Sequence, residues 1–581
     1  MKFSIKNFSI RAAAVGVALA AALTSAARAQ DTIELKIAHP FPTTHYLVEH
    51  GLDVWVAALE KELGERVNFT ISPAQQLGKA AEALNLAASG VADLVLTATS
   101  YHPAQLTVSA VAELPGMYDD ICVASRASME LSAEGSFFDE VDFAPNGVRA
   151  IYNVSLPIYK VITASRKIET LEDLEGVKLR TTGSAMDATA RSLGAAATVA
   201  TDARGIATVV LDGLEPGTDY AYTVFVDGVA LQPSYPTAFT TQALWQWRTD
   251  PPSFTAALGS CFYDNEPAYD RPGNAYGGST AIFGEIAALR PDLMLWLGDN
   301  TYLREVDWWS AGGIDHRFRH SRATPDLQPL LASTAHYATW DDHDFGPNDA
   351  DRSYVLKGET LDTFSAYWPS ATRGMPGVPG VFTHFQWADV EFFLLDDRYH
   401  RAPNDAPAAE RTILGAEQRQ WLLDALTTSR APFKVIAVGG QFLNPLAVFE
   451  TFAAVAPAER QMLLNQIAAR RVEGVVFLSG DRHHTELMRM ERPGHYPLYE
   501  FTSSPLTAGA STYALREDSP EYTNPLRVDG TLVAGVHNFG TLTVTGPRTD
   551  RTMRMRTFDA DGAMLWEHAV RARDLQYPRS E

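Results

Sequence analysis

Residues 290–303 read "RPDLMLWLGDNTYL". The run Leu293–Leu297 is strongly apolar and reads as a strand. Asp299, Asn300 and Tyr302 follow it at once. One such junction means little, because an Asp after a strand commonly caps the next helix. Five more junctions of the same kind follow or precede it. "PPSFTAAL" runs into "GSCFYDNE" (259–266), and "HYATW" into "DDHDFGPND" (341–349). "VEFFLL" runs into "DDRYHR" (396–401), "FKVIAV" into "GGQ" (439–441), and "EGVVFL" into "SGDRHHTEL" (479–487). Capping does not account for six. If the strands are parallel, the six polar clusters meet at the carboxyl edge of one sheet, where α/β folds bind ligands.

Converging carboxylates repel one another unless cations neutralise them, so the pattern points to a multi-metal site. Asp and Gln oxygens are hard donors that suit calcium, magnesium or manganese. A Cys thiolate, a Tyr phenolate and a His nitrogen suit a stronger Lewis acid such as iron. A mixed site of this kind serves phosphoryl chemistry, with an Arg reading the phosphate.

The ordered series "GSCFY", "LWLGDNTY", "WDDHDFGPND", "LDDRYHR", "GAEQRQWL" and "FLSGDRHHTEL" resembles the PhoD-like alkaline phosphatase/phosphodiesterase family, a branch of the calcineurin-like metallophosphoesterases, over about residues 252–575. "EFTSSPLT" (500–507) and the β-rich end fit as well. The resemblance implies a metallophosphoesterase α/β sandwich holding one ferric iron and one or two calcium ions. Phosphodiesters and phosphomonoesters would be hydrolysed by attack of a metal-activated hydroxide. It implies that Cys261, Asp299, Tyr302 and His483 hold the iron, with Asp299 also bridging to calcium. Asp342, Asn348, Gln441 and Asp481 become calcium ligands. His343 is aimed at the phosphate or the leaving group, and Arg398 clamps the substrate. Tyr263, Asp341 and Asp344 have structural readings of equal weight, and His484 turns away from its neighbour. Asp396 turns inward while Asp397 faces the site, because adjacent strand residues point oppositely.

Upstream the pattern changes. From 31 to about 199, "TIELKIAH", "RVNFTISP" and "VADLVLTAT" read as strands. They alternate with helical "YLVEHGLDVWVAALEKEL" and "KAAEALNLAASG". Such alternation implies an α/β unit with a largely parallel sheet. "LKIAHPFPTTHYLVEHGLDVW", "SPAQQLGKAAEALNLAASG" and "LEDLEGVKLRTTGSAMDATARSLGA" resemble the DctP-like solute receptors of TRAP transporters. The resemblance implies a periplasmic-binding-protein-like lobe in which Arg180 takes a substrate carboxylate. It covers only about half of such a receptor. An organic-acid receptor is therefore the alternative function. Residues 200–242 turn all-β around a Pro-Gly turn. They resemble the later strands of the fibronectin-like domain that precedes PhoD-like catalytic domains. Residues 243–251 read as a linker.

The expected organisation is thus a signal peptide (1–29), a receptor-like fragment (30–199), a partial β segment (200–242), a linker (243–251) and a catalytic domain (252–575). "MKFSIKNFSIRAAAVGVALAAALTSAARAQ" has a basic start, a short apolar run and Ala27-Arg28-Ala29, which predicts cleavage after Ala29 and a periplasmic or secreted protein. It has no Arg-Arg pair, and no later run is long enough for a transmembrane anchor. The 581 residues carry a net charge of −22, which repels nucleic acid and anionic lipid at long range, and no nucleic-acid-binding surface is evident. A phosphate ester remains compatible, since bound metal reverses the local sign. Export permits a Cys122–Cys261 disulfide, although Cys261 has a better use as a ligand.

Overall fold

The computed structural model describes residues 32–577, apart from 103–104, 114–116, 157–166, 175–176, 182–185, 187–188, 191, 194–195, 199–200, 203, 212–213 and 227–228. The chain divides into two compact units, Met1–Val199 and Ala200–Glu581. The signal segment lies outside the described residues. No described helix is long and apolar enough to cross a membrane.

In the front unit the strand Ile33–Ala38 lies parallel between Val67–Ser72 and Leu94–Val95. The third expected strand thus pairs over only two residues. The helix Asp53–Leu63 follows a π-turn at Val48–Leu52. The helix Ala83–Ala88 ends just before Gly90, whose φ of 74° suits a helix stop. Asp120 caps the helix Ile121–Leu131 by accepting the N–H groups of Cys122 and Val123. The largest buried apolar cluster of this unit joins Leu84, Leu106, Phe138 and Phe143. Val54, Phe137, Ile151, Tyr152 and Leu171 are each more than half exposed. Lys178–Arg180 and Ala196–Thr198 form a two-stranded parallel pair. The Arg180 side chain lies outside the described part of the structure.

The rear unit opens with the β segment, and only its second run forms strands. Asp219–Ala221 pairs with Ala238–Thr240, and Phe225–Val226 with Val229–Ala230. The run Ile206–Leu211 alternates like a strand but joins no sheet, and Val209, Val210 and Leu211 stand exposed. A strand needs a neighbour for its backbone groups, and among the described residues this run has none. The segment is anchored by the Tyr222 hydroxyl, which donates to the Ala332 carbonyl at 2.8 Å.

Two sheets follow. The first runs Ala335–Thr339, Leu293–Leu297, Phe254–Gly259, then the antiparallel meander Asn538–Thr545, Thr552–Asp559 and Met564–Arg571. The second contains Thr383–Trp387, Val390–Leu394, Phe433–Ala437, Val475–Ser479, Leu498–Thr502, His484–Met490 and Val533–Ala534. All six expected strands are present, but they are shared three and three between the sheets, which corrects the single-sheet expectation. Side-chain alternation shows how the layers meet. Leu293, Leu295 and Leu297 enter a core shared with Val435, Ala437, Val476 and Leu478 of the other sheet. Met294 and Trp296 point the opposite way, into a cluster with Ile282 and Phe283 of the helix Ile282–Ala288 and with Phe318 of Ala311–Arg322. Leu422 and Leu426 of Ala416–Thr428 and Leu463 and Ile467 of Pro457–Ala469 join the first core. The result is an α/β sandwich with two sheets face to face.

Candidate active site

Both sheets send their polar loops to one place because their backbones approach closely there. A Cβ on Gly480, after the strand Val475–Ser479, would stand 2.4 Å from Ser260 Cβ of the other sheet. A Cβ on Gly298 would stand 2.7 Å from that of Asp341. The residues beside these junctions adopt left-handed backbone: φ is 60° at Cys261, 52° at Asp299, 63° at Asp481 and 53° at His483. Non-glycine residues reach that region at a cost, and such strain gathers where side-chain direction matters for function.

The loops enclose a cavity of about 630 Å³. Asp299, Asp342, His343, Asn348, Asp349, Glu450, Asp481 and His483 line it. Three overlapping groups could hold metal ions: Cys261–Asp299–His483, Asp299–Asp342–His343 and Asp342–Asp349–Glu450. Asp299 and Asp342 each belong to two of them. The Cys261 thiol is fully buried, receives the Ser504 hydroxyl at 3.1 Å and lies 3.6 Å from Asp299 Oδ2. His483 Nδ1 lies 2.6 Å from the Gly509 carbonyl, which can only accept. Nδ1 therefore carries the proton, and Nε2 turns its lone pair towards the Tyr302 hydroxyl at 3.1 Å. Histidine metal ligands are commonly oriented by such a bond on the far nitrogen. The His343 ring stacks on Tyr302 with centroids 4.2 Å apart. Its backbone N–H donates to Asp299 Oδ1 at 3.2 Å and Asp342 Oδ1 at 2.8 Å.

The electrostatics fit cations. Burial, and then the charge of Asp342, drives the Asp299 carboxyl well above the usual range. Burial raises Tyr302 strongly, takes the Cys261 thiol up to about 11 and Asp481 up to about 6. Asp349 is also pushed to about 6, by burial and then by Glu450 and Asp342. Burial takes the His343 imidazole down to about 4. Among buried atoms, Asp481 Oδ2 and His343 Nδ1 have no hydrogen-bond partner. Buried acids without partners are costly, and cations among them reverse each of these carboxylate shifts. A thiol, a phenol and an imidazole on one side, with carboxylates on the other, match a mixed donor set.

Four of the sequence-selected residues do not line the cavity: Cys261 and Tyr302 lie behind it against Asp299 and His483, and Arg398 and Gln441 are tied to other groups. Arg398, 1% exposed, is held by Asp341 and by Glu450 at 2.8 Å. Its guanidinium pairs with those carboxylates and does not line the cavity. Gln441 is buried in a polar network, donating to Glu486 at 3.0 Å and Thr502 at 2.9 Å and accepting from Asn444. It lines nothing. Asp396 accepts from Trp340 Nε1 and the Val381 N–H, and Asp397 accepts from the Gly440 N–H without reaching the lining. Asp341 and Asp344 form a capping box on a short helix, Asp342–Phe345. The Tyr263 hydroxyl donates to Asp270 at 2.5 Å and packs rather than ligates. Cys122 and Cys261 are both free thiols. Sequence reasoning missed Asp349 and Glu450 as partners of Asp342. Glu450 follows no strand and has no signal in its neighbours, whereas Asp349 belongs to the stretch already singled out.

Residues 268–555 match the family model described as PhoD-like phosphatase, a span that includes every lining residue but starts after Cys261. Residues 38–227 match bacterial extracellular solute-binding protein, family 7, running past the boundary between the two units. Alkaline phosphatase D of Bacillus subtilis (strain 168) is 29% identical over 324 residues, covering 47% of this chain and 52% of that protein. The chain thus spans about half the length of this curated relative. The solved structure of PhoD is 20% identical, with a TM-score of 0.49, covering 62% of this chain and 78% of that one. A TRAP solute binding protein from Rhodoferax ferrireducens T118, in complex with copurified benzoate, is 25% identical, with a TM-score of 0.25, covering 29% and 51%. One chain therefore joins a segment similar to family 7 extracellular solute-binding proteins to a segment similar to PhoD-like phosphatases.

Proposed function

We propose that the rear unit is a metal-dependent phosphohydrolase acting on phosphodiesters and phosphomonoesters. The observation that carries this is the chain of three ligand groups, linked through Asp299 and Asp342, on the wall of one cavity. The likeness to alkaline phosphatase D supports it. Cys261, Tyr302, His483 and Asp299 would hold one ferric iron. Asp299, Asp342 and Asp481, with Asn348, Asp349 and Glu450 nearby, would hold one or two calcium ions. Bound, these ions supply charge withdrawal from the phosphoryl oxygens and a more acidic water.

The chain's own residues do the rest. Asp299 and Asp342 fix the spacing of the two ligand groups. Gly509 fixes the His483 tautomer. Asn348 lines the cavity beside Asp342 and Asp349. His343, stacked on Tyr302 and neutral above about pH 4, would hydrogen-bond a phosphoryl oxygen through its neutral ring. Arg398 holds Asp341 and Glu450 in place.

The leader read from residues 1–29 and the family 7 likeness support export to a periplasm or beyond. The test of function is hydrolysis of bis-p-nitrophenyl phosphate by the full chain, with calcium present and after chelation. Metal-dependent release of nitrophenolate is expected. A folded, metal-loaded protein that hydrolyses neither this diester nor p-nitrophenyl phosphate would refute the assignment.

A further inference from the structure

Arg398 is tied to carboxylates and does not line the cavity, so an arginine that reaches an anionic substrate there is a different one. Three arginines line the cavity: Arg401, Arg411 and Arg482. Arg401 is paired with Glu450 and bonded to Asn404. Arg482 is paired with Glu521 and lies 3.7 Å from Asp481. Arg411 differs from both. Its Nε donates to the Ala406 carbonyl at 2.9 Å, which orients the side chain, and no carboxylate among the described residues pairs with it. Its Nη1 and Nη2 groups make no hydrogen bond there, and the residue is only partly buried. The loop that carries it is fixed at its base, where the Ala402 N–H donates to the Thr412 carbonyl at 2.8 Å.

An arginine that lines a cavity rich in acids, yet pairs with none, offers a free and oriented fork of N–H donors. That geometry takes a planar or tetrahedral oxyanion bidentately. None of the three ligand groups contains a residue of the loop 402–411. We propose that Arg411 is a specificity residue that binds a second anionic group, a phosphate, on the non-reacting arm of the substrate. The favoured substrates are then esters with two phosphates, of which one reacts and the other is held. This rests on the phosphohydrolase reading above.

The test compares two esters that release the same nitrophenolate: p-nitrophenyl thymidine 5′-phosphate and the same molecule with a 3′-phosphate. In the native protein the 3′-phosphate should raise kcat/KM. In Arg411→Gln the advantage should shrink roughly tenfold, the scale of one charge-assisted contact, chiefly through KM. Arg411→Lys should keep part of it. Raised salt should reduce the advantage in the native protein and change it less in Arg411→Gln. An equal loss on both esters in a protein of unchanged melting temperature overturns the proposal. So does a native enzyme indifferent to the 3′-phosphate. Absence of turnover with either ester instead overturns the phosphohydrolase reading beneath it.

Discussion

The two units answer similar sequence patterns very differently. Both contain parallel strands alternating with helices. In the rear unit each buried face has a partner: sheet against sheet inside, helices outside. Among the described residues of the front unit, a three-stranded sheet is accompanied by one small buried apolar cluster, and large apolar side chains stand exposed. The cavities follow suit. The rear cavity measures about 630 Å³, within the usual range for a small-ligand site, whereas the described front cavity beside His39 and Lys79 measures about 10 Å³. A strand pattern therefore establishes an element, but only a second layer turns elements into a site.

The largest expected effect concerns the shared ligand. Asp299→Asn should lower turnover of bis-p-nitrophenyl phosphate by at least about a thousandfold, because it touches two ligand groups at once. Melting of the front unit should not move. A small loss would show that the ligand groups are not the working site.

Next comes Arg398→Met, which strands Asp341 as a buried charge and leaves Glu450 to Arg401 alone. Urea unfolding should show a loss of about 3–5 kcal/mol in the rear unit. If Arg398 instead clamped substrate, KM would rise in a protein of unchanged stability.

Acidity should separate the units by sign. Burial raises Asp344 to about 8 and Glu500 to about 7. Their folded forms bind protons that the unfolded chain does not, so the penalty of charging them is present above those values and fades as pH falls. The chelated rear unit should therefore gain stability between about pH 8 and 6.5. In the front unit burial lowers His39 and His102 from 6.5, so stability is lost as pH falls below 6.5. Thermal melts of the chelated protein across pH 5 to 8, read unit by unit, check both slopes.

A carboxylic-acid screen sharpens the contrast further. With so small a buried apolar cluster among the described residues of the front unit, benzoate or a dicarboxylate should give no saturable thermal shift. A shift abolished by Arg180→Ala would restore the receptor reading. The smallest effect is expected at Val210→Asp, an exposed position in no sheet, which should change stability by less than about 0.5 kcal/mol.

Much of the rear fold was legible because each strand ends in a polar cluster, and the same junctions named Cys261, Asp299, Tyr302, Asp342, Asn348, Asp481 and His483. Two things were hidden. Which sheet a strand joins depends on contacts far apart in sequence, such as Gly480 against Ser260. Which arginine is free depends on charge pairing: Arg398 and Arg411 look alike in sequence, and only the carboxylates of Asp341 and Glu450 distinguish them. The loop bearing Glu450 gave no pattern at all. In the run Ile206–Leu211 the period was right, and the missing neighbour decided the outcome.

The function proposed for the cavity is that of a metal-dependent phosphoesterase site. The most direct measurement is bis-p-nitrophenyl phosphate hydrolysis by the full chain, with and without calcium, beside Cys261→Ala. Calcium-dependent turnover that disappears in the variant is the expected result. Turnover indifferent to chelation and to Cys261, or none from a folded and metal-loaded chain, would contradict it.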